Sequence, residues 1–176
     1  MKTRGATGVL FEDLEAKPGE TERLAEGAVL LRGFALADEK PLVNAIGAVL
    51  AEAPWRNMTT PGGHRMSVAM TNCGAFGWVS DRRGYRYERA DPDSGRSWPA
   101  MPSCFLDLAD RAASAAGYEH FVPDACLINR YEPGTRLTLH QDRNERDFKA
   151  PIVSVSLGLS RHSFSEAMSE PIARSA

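Results

Sequence analysis

The chain has 176 residues and a net charge of −2, and 43% of its residues are hydrophobic against 25% charged. This length and composition suit one soluble domain that can bury a core, and the charge gives no overall attraction to nucleic acid or anionic membranes. Three cysteines without a close CxxC pair argue against a disulfide framework or structural zinc. With no signal-like or membrane-spanning apolar run, we expect a cytoplasmic protein without membrane contact.

The first third of the chain predicts an arm, a strand and a helix. Residues 1–27 are polar and Gly/Glu-rich and suit a loosely held N-terminal arm. Residues 28–34 are apolar and partly β-branched, which indicates a strand. Asp38 is suited to cap a helix that continues through Pro41, with apolar residues at three- and four-residue spacing, and stops at Pro54.

Glycines punctuate residues 55–98, where the helical period is lost, so we expect hairpins and long loops, including a turn at 91–96. A second helix then opens at Ser103 and stops at Gly117.

Three further strands are predicted at 125–131, 137–141 and 151–159, with a turn at Pro133-Gly134 between the first two. The elements together predict an α+β fold, with helices packed on one side of a mainly antiparallel sheet that ends in a barrel or jelly roll. Residues 161–176 have no strand period.

His140 and Asp142 are the first candidate site residues. They are two apart in a predicted strand and so point to one face, presenting an imidazole and a carboxylate together. These are two of the three ligands of the 2-His-1-carboxylate triad that holds non-haem Fe(II). Two ligands do not make a metal site, however, and His140 also suits a core histidine with Asp142 beginning a turn.

Two other groups of polar and aromatic residues accompany this pair. Asn129 and Tyr131 share a strand face one hairpin upstream, where they suit a small carboxylate co-substrate or point to solvent. Trp78, Tyr85 and Tyr87 are interleaved with arginines, a composition that suits base stacking and phosphate binding. A hairpin that packs its aromatics on the core, with solvated arginines, is the alternative.

An ordered series of motifs then resembles a known family. These are TPGG at 60–63, MSVAMTNCG at 66–74, GW at 77–78, GY at 84–85, WPAMP at 98–102, AAGY at 115–118, PDACLINRY at 123–131, LTLHQD at 137–142 and APIVSVSLGL at 150–159. Together they resemble bacterial AlkB, a family of Fe(II)- and 2-oxoglutarate-dependent dioxygenases that remove alkyl groups from nucleic-acid bases. The resemblance runs from about residue 27 to residue 159.

The resemblance implies a partial double-stranded β-helix (jelly roll) beneath a nucleotide-recognition lid, in a domain over 28–160. It implies His140 and Asp142 as iron ligands and catalytic residues. The segment Asn129, Arg130 and Tyr131 would bind 2-oxoglutarate. The residues that would bind substrate are Trp78, Tyr85, Arg86, Tyr87 and Asn144. Of these, Trp78 would stack on the damaged base, while Tyr85, Arg86 and Tyr87 would line the lid and contact the nucleic-acid backbone.

The implied function is DNA repair by oxidative demethylation of N1-methyladenine and N3-methylcytosine. Fe(II) is the cofactor and 2-oxoglutarate the co-substrate. The implied partner of this monomer is alkylated DNA, single- or double-stranded, with RNA as a further substrate. Asn144 replaces the aspartate that is usual in the family at that position, and a carboxamide donates as well as accepts, so base preference is expected to differ.

The chain leaves the family pattern after Leu159, before the distal histidine ligand and the arginines that pair with 2-oxoglutarate. We therefore expect a C-terminally incomplete domain and an unrelated tail over 161–176, through a frame change or truncated gene. His162 is disfavoured as the missing ligand because the facial triad needs it from across the barrel. An inactive remnant that retains nucleic-acid recognition is the alternative to an impaired enzyme, and a hydroxylase acting on proteins or small molecules is disfavoured by the aromatic lid.

Overall fold

The computed structural model describes residues 19–135 and 149–158. Its elements are, in chain order, β1 (Thr21–Ala25), β2 (Ala28–Leu31), a 3-10 turn (Leu36–Asp38), α1 (Glu39–Glu52), β3 (Ala69–Gly74), β4 (Gly77–Asp81), β5 (Gly84–Glu88), α2 (Ser103–Ala115) and β6 (Ala125–Arg130). Mixed helices and antiparallel strands confirm the predicted α+β class and are compatible with part of a jelly roll. Strand β1 lies within the range predicted as a loose arm.

Helix α1 confirms the predicted apolar periodicity, since Leu42 and Val49 are two turns apart and both are buried. Asp38 lies at the N-cap position of α1, as predicted, but its side chain makes no capping hydrogen bond. The Asp38 carboxylate instead accepts a hydrogen bond of 2.7 Å from Nη2 of Arg111, which lies on α2. The Asp38 carboxylate thus binds an arginine of α2 and not the backbone N–H groups at the start of α1.

Helix α2 begins at Ser103 and ends before Gly117, as predicted. Gly117 has a φ of +91°, a conformation that glycine adopts without the steric cost of a Cβ. The Tyr118 N–H then donates to the Ala113 carbonyl at 2.9 Å, which satisfies a carbonyl of the last turn. None of the helices in the described residues is long and apolar enough to cross a membrane.

The described strands form three antiparallel pairs: β1 with β2, β3 with β6, and β4 with β5. The β4–β5 pair is a hairpin within 55–98, where hairpins were predicted, and β6 confirms the strand predicted at 125–131. The strand predicted at 137–141 lies outside the described residues.

The strand predicted at 151–159 is wrong over its described part, because 151–158 adopt no regular structure. Strict alternation of apolar residues defines two faces, but a strand also needs a neighbour for its backbone hydrogen bonds. No described strand pairs with this segment. Its apolar residues Ile152, Val155 and Leu157 are accordingly exposed.

Strand β3 lies at the centre of the described core. Five of its six residues are buried, including the polar residues Thr71 and Asn72. The Thr71 hydroxyl donates to the Ala53 carbonyl at the end of α1, at 2.7 Å. Asn72 is fully buried and makes two hydrogen bonds of 2.9 Å to the backbone of Trp78, donating to its carbonyl and accepting from its N–H. Strand β3 is therefore tied to a helix through Thr71 and to the hairpin through Asn72.

A second polar cluster surrounds Arg56, whose backbone pairs with Met70 of β3. Its guanidinium binds Asp91 and Asp93 and lies 5.1 Å from the ring centroid of Trp98. Burial opposes ionisation of Asp91, but hydrogen bonds from Arg56, the Asp93 N–H and the Ser94 hydroxyl hold its pKa below the usual range. This cluster closes the turn predicted at 91–96 and anchors it to β3.

We expect Asn72→Ala to lower the free energy of unfolding substantially in urea titrations. It leaves two backbone groups of Trp78 without their partner, and each unsatisfied buried group costs about 1–3 kcal/mol. Asn44→Ala, at an exposed position of α1, is the matched control. Equal losses for the two variants would contradict a structural role for the Asn72 carboxamide.

Asp91→Asn is expected to destabilise the protein near neutral pH, and less so in acid. Because folding lowers the pKa of Asp91, the carboxylate stabilises the folded state above its unfolded pKa of about 3.9 and loses that effect as pH falls through the folded value. Urea titrations below and above about pH 4 measure the difference. Asp93→Asn is the control, since its side chain is 75% exposed; a pH-independent Asp91→Asn effect would refute this linkage.

Candidate active site

The register of the antiparallel β3–β6 pair shows which candidate residues share a face of the sheet. Met70 lies opposite Asn129 and Asn72 lies opposite Leu127. Residues directly opposite in an antiparallel pair share a face, as do residues two apart in one strand. Met70, Asn72, Leu127 and Asn129 therefore share one face, called the site face below. Thr71, which bonds to the end of α1, lies on the other.

Asn129 is half-buried, and its Oδ1 atom is buried without a hydrogen-bond partner among the described residues. A buried polar atom without a partner is costly, and such atoms in native structures call for an explanation. Rotation of the carboxamide by half a turn exchanges its oxygen and nitrogen, so this position can donate as well as accept. A bound carboxylate would use such a donor, so Asn129 fits a 2-oxoglutarate site.

Tyr131 follows β6 directly and is 42% exposed. Burial of the rest of the side chain raises the pKa of its phenol above the ordinary value. The phenol therefore stays protonated near neutral pH and can donate a hydrogen bond. A donor of this kind two residues from Asn129 also suits a carboxylate ligand.

Arg130 has the opposite strand parity from Asn129 and so lies on the other face of β6. Its guanidinium is 5.4 Å from the ring centroid of Trp55, and its Nη2 is 3.0 Å from Oε1 of Glu132. The structure therefore does not bring Arg130 together with Asn129, although the two are neighbours in sequence.

The aromatic candidates do lie together, on one face of the β4–β5 hairpin. Trp78 pairs with Tyr87 and Ser80 with Tyr85, which places the three rings on one side. The Trp78 and Tyr85 rings stack, with centroids 5.6 Å apart and planes at 16°. Trp78 is half-buried, whereas Tyr85 is 46% exposed. The hairpin thus has an aromatic face whose outer ring is accessible.

Met70 connects the aromatic face to the site face. Trp78 packs against a buried cluster of Met58, Val68 and Met70. Met70 is also the residue directly opposite Asn129. The predicted base-stacking residue therefore packs on the cluster that contains the methionine opposite a predicted 2-oxoglutarate residue.

Arg86 lies on the opposite side of the hairpin from the three rings, since it pairs with Val79. Its two Nη atoms each donate to one Asp81 oxygen at 2.9 Å, and its Nε donates to Glu88 at 2.7 Å. The hydrogen bonds from Arg86 and from the Arg83 N–H hold the pKa of Asp81 well below its usual range. Arg86 is therefore occupied by two carboxylates in this structure.

The predicted iron ligands His140 and Asp142, and the predicted base-reading residue Asn144, lie outside the described residues. Among residues 19–135 and 149–158, no group of three or more His, Cys, Asp or Glu side chains could hold a metal ion. An imidazole with a carboxylate is the donor chemistry that non-haem Fe(II) takes, so His140 and Asp142 suit it by residue type.

Two residues of this region were not singled out from the sequence. Asn72 positions Trp78 through its backbone, and Met70 lies between Trp78 and Asn129. A carboxamide inside the apolar run of 66–73 was the available signal for Asn72, because buried polar side chains need partners. Nothing in the local sequence distinguishes Met70 from an ordinary core methionine.

Comparisons with known proteins identify the family of this chain. Residues 27–165 match the model of the 2OG-Fe(II) oxygenase superfamily. Over 150 residues the chain is 57% identical to "Alpha-ketoglutarate-dependent dioxygenase AlkB" of Escherichia coli, an alignment that covers 85% of this chain and 68% of that protein. It is 31% identical over 83 residues to human "Nucleic acid dioxygenase ALKBH1", covering 47% of this chain and 21% of that protein.

The solved structure of OsALKBH1 shows the same fold, with a TM-score of 0.52 at 22% identity over 72% of this chain and 62% of that one. The matching region of the oxygenase model includes every candidate site residue, from Trp78 to Asn144. The chain belongs to the 2OG-Fe(II) oxygenase superfamily as an AlkB relative, and spans about two thirds of the length of the E. coli protein.

Proposed function

We propose that this protein binds Fe(II) and 2-oxoglutarate and oxidatively removes alkyl groups from nucleic-acid bases. The strongest structural support comes from Asn129, whose buried side-chain oxygen has no partner among the described residues and faces the side of the sheet that carries Met70. The E. coli relative is named a dioxygenase that depends on alpha-ketoglutarate, another name for 2-oxoglutarate, and the human one a nucleic acid dioxygenase.

Asn129 and Tyr131 are the proposed donors to a carboxylate of 2-oxoglutarate. The raised pKa of Tyr131 keeps its phenol protonated, so both side chains present hydrogen-bond donors to an anion. Arg130 is proposed to act from the other face of β6, where its contacts with Trp55 and Glu132 hold the strand between these two residues.

His140 and Asp142 are the proposed ligands of Fe(II). When bound, the metal supplies the oxidising chemistry, in which O2 oxidises the N-alkyl carbon while 2-oxoglutarate becomes succinate and CO2. An N-methyl group hydroxylated in this way leaves as formaldehyde. The chain's own contribution is to hold the co-substrate and base near one another and to exclude water, which is how a site positions reactants.

The proposed substrate is an alkylated base, with N1-methyladenine and N3-methylcytosine preferred, in single- or double-stranded DNA or in RNA. Chemistry on a base requires it to leave the stack, and the extruded base needs an aromatic surface. Trp78 and Tyr85 already lie parallel and would extend the stack onto the base, with Tyr87 beside them and Asn144 reading its edge.

Turnover tests the proposal directly. With Fe(II), 2-oxoglutarate, O2 and an oligonucleotide that carries N1-methyladenine, we expect equal amounts of succinate and formaldehyde from the unsubstituted chain. His140→Ala should abolish both products, because it removes a metal ligand. Oligonucleotide binding without turnover above the His140→Ala variant would instead support the alternative, an inactive protein that retains nucleic-acid recognition.

Asn129→Ala should weaken 2-oxoglutarate binding, measured calorimetrically with Mn(II) in place of Fe(II). A hydrogen bond to a charged group contributes about 1.5–3 kcal/mol, so the dissociation constant should rise roughly 10- to 100-fold. Asn44→Ala on α1 is the matched control and should leave binding unchanged. An Asn129→Ala variant with the parent affinity would remove this residue from the proposed site.

A further inference from the structure

Two chain segments meet at the tip of the β4–β5 hairpin. The loop at 60–65 is closed by hydrogen bonds of 2.8 Å from the Thr60 N–H to the His64 carbonyl and from the Gly63 N–H to the Thr60 carbonyl. The hairpin reaches this loop through the Ser80 hydroxyl, which donates to the Thr59 carbonyl at 2.7 Å. The guanidinium of Arg82 extends over Gly63, with its Nη2 3.7 Å from where a Cβ would lie.

Arginines concentrate on these two segments. Arg65, Arg82 and Arg83 are all exposed, and they are called the tip arginines below. Arg82 forms no ion pair within the described part of the chain, and Arg65 donates at 2.9 Å to a neutral acceptor, Asn57 Oδ1. The side chain of Arg83 is 69% exposed and makes a long ion pair with Asp81, at 3.4 Å. Within the described residues, two arginines without a carboxylate partner, Arg65 and Arg82, thus lie on one surface of a chain whose net charge is −2.

The two described carboxylates of the hairpin, Asp81 and Glu88, are bound more closely by Arg86 than by any tip arginine side chain. Arg86 binds both oxygens of Asp81 and one oxygen of Glu88 from the other side of the hairpin. Asp81 also accepts the Arg83 N–H at 2.7 Å, which holds the turn that carries Arg82 and Arg83. The ion pairs of Arg86 with Asp81 and Glu88 therefore neutralise these carboxylates, and the hydrogen bond from the Arg83 N–H to Asp81 holds the turn on which Arg82 and Arg83 are exposed.

The accessible ring of Tyr85 adjoins this surface, since Tyr85 follows the first residue of β5 and pairs with Ser80, one residue before Asp81. Aromatic surface beside a track of cations is the arrangement that binds single-stranded nucleic acid, where bases stack and phosphates follow the positive charge. An acidic peptide would use the cations but not the flat ring.

We propose that the tip arginines bind the phosphates that flank the target base, with Arg82 and Arg65 as the main contacts. This inference rests on the proposed function in taking nucleic acid as the partner. The exposed tip arginines contact the phosphates, while Arg86 is a positioning residue that binds Asp81 and thereby holds the turn of the hairpin. The repeating phosphates of a single strand supply the anions that are not found beside Arg65 and Arg82 among the described residues.

The salt dependence of binding tests this assignment without any need for turnover. The full chain, Arg65→Gln, Arg82→Gln and the double variant are titrated onto a fluorescein-labelled, unmodified single-stranded oligonucleotide at about 50 to 200 mM salt. Each lost phosphate contact on a single strand should make the slope of log K against log salt shallower by about 0.7. We therefore expect a change of about 1.4 for the double variant, with weaker binding at low salt.

Arg111→Gln is the matched control, because Arg111 is an exposed arginine on α2 and contacts Asp38 and Phe34. Its slope should equal that of the unsubstituted chain. Urea titration checks the fold of each variant, and Arg82→Gln alone suffices if the double variant unfolds, since Arg82 makes no hydrogen bond or ion pair within the described residues.

Three results would overturn the inference. Unchanged slopes in the Arg65 and Arg82 variants, with the parent binding normally, would refute the tip contacts and leave the proposed function standing. No binding by the unsubstituted chain at low salt would refute both. Equal competition by polyglutamate of matched charge would show a surface for acidic polymers in general. A changed slope in a chain without turnover would support the tip contacts and count only against the proposed activity.

Discussion

The arrangement of the candidate site depends on one buried side chain, Asn72. A carboxamide carries the same donor and acceptor as a peptide group, so Asn72 binds the Trp78 backbone as a neighbouring strand would. Strand β3 pairs with β6 through its backbone, and the Asn72 side chain bonds β3 to the backbone of β4. Because Asn72 is fully buried and both hydrogen bonds are partly buried, breaking them leaves polar groups poorly hydrated, which ties the position of Trp78 to that of the sheet.

The β3–β6 pair has two faces with different neighbours. Thr71 and Arg130 face the helix end and Trp55, while Met70 and Asn129 face the cluster that supports Trp78. The arginines of the hairpin also differ by position. Arg86 is bound by two carboxylates on one side of the hairpin, whereas Arg82 and Arg83 are exposed at its turn. Charge that is already paired inside the protein adds little to binding of an outside anion, so this division selects which arginines remain available.

Sequence patterns correctly predicted those helices and strands whose formation depends on residues close together in the chain. The apolar spacing of α1, the stop at Gly117 and the strand at 125–131 were confirmed, because each depends on residues within a few positions of one another. Asp38 was confirmed as the N-cap residue of α1, but its carboxylate binds Arg111, far away in sequence, instead of capping the helix. The strand at 151–159 was wrong over 151–158 because alternation of apolar residues says nothing about whether a partner strand is present.

The sequence by itself determined the chemistry available: the imidazole and carboxylate of His140 and Asp142, the donors at Asn129 and Tyr131, and the aromatic residues of 78–87. It also determined family membership, since so many ordered motifs identify the 2OG-Fe(II) oxygenases. Only the tertiary structure decided which of these groups meet. Arg86 and Arg82 are equivalent as residue types, but within the described part of the chain folding places two carboxylates around Arg86 and none against Arg82, because ion pairing depends on distance in space.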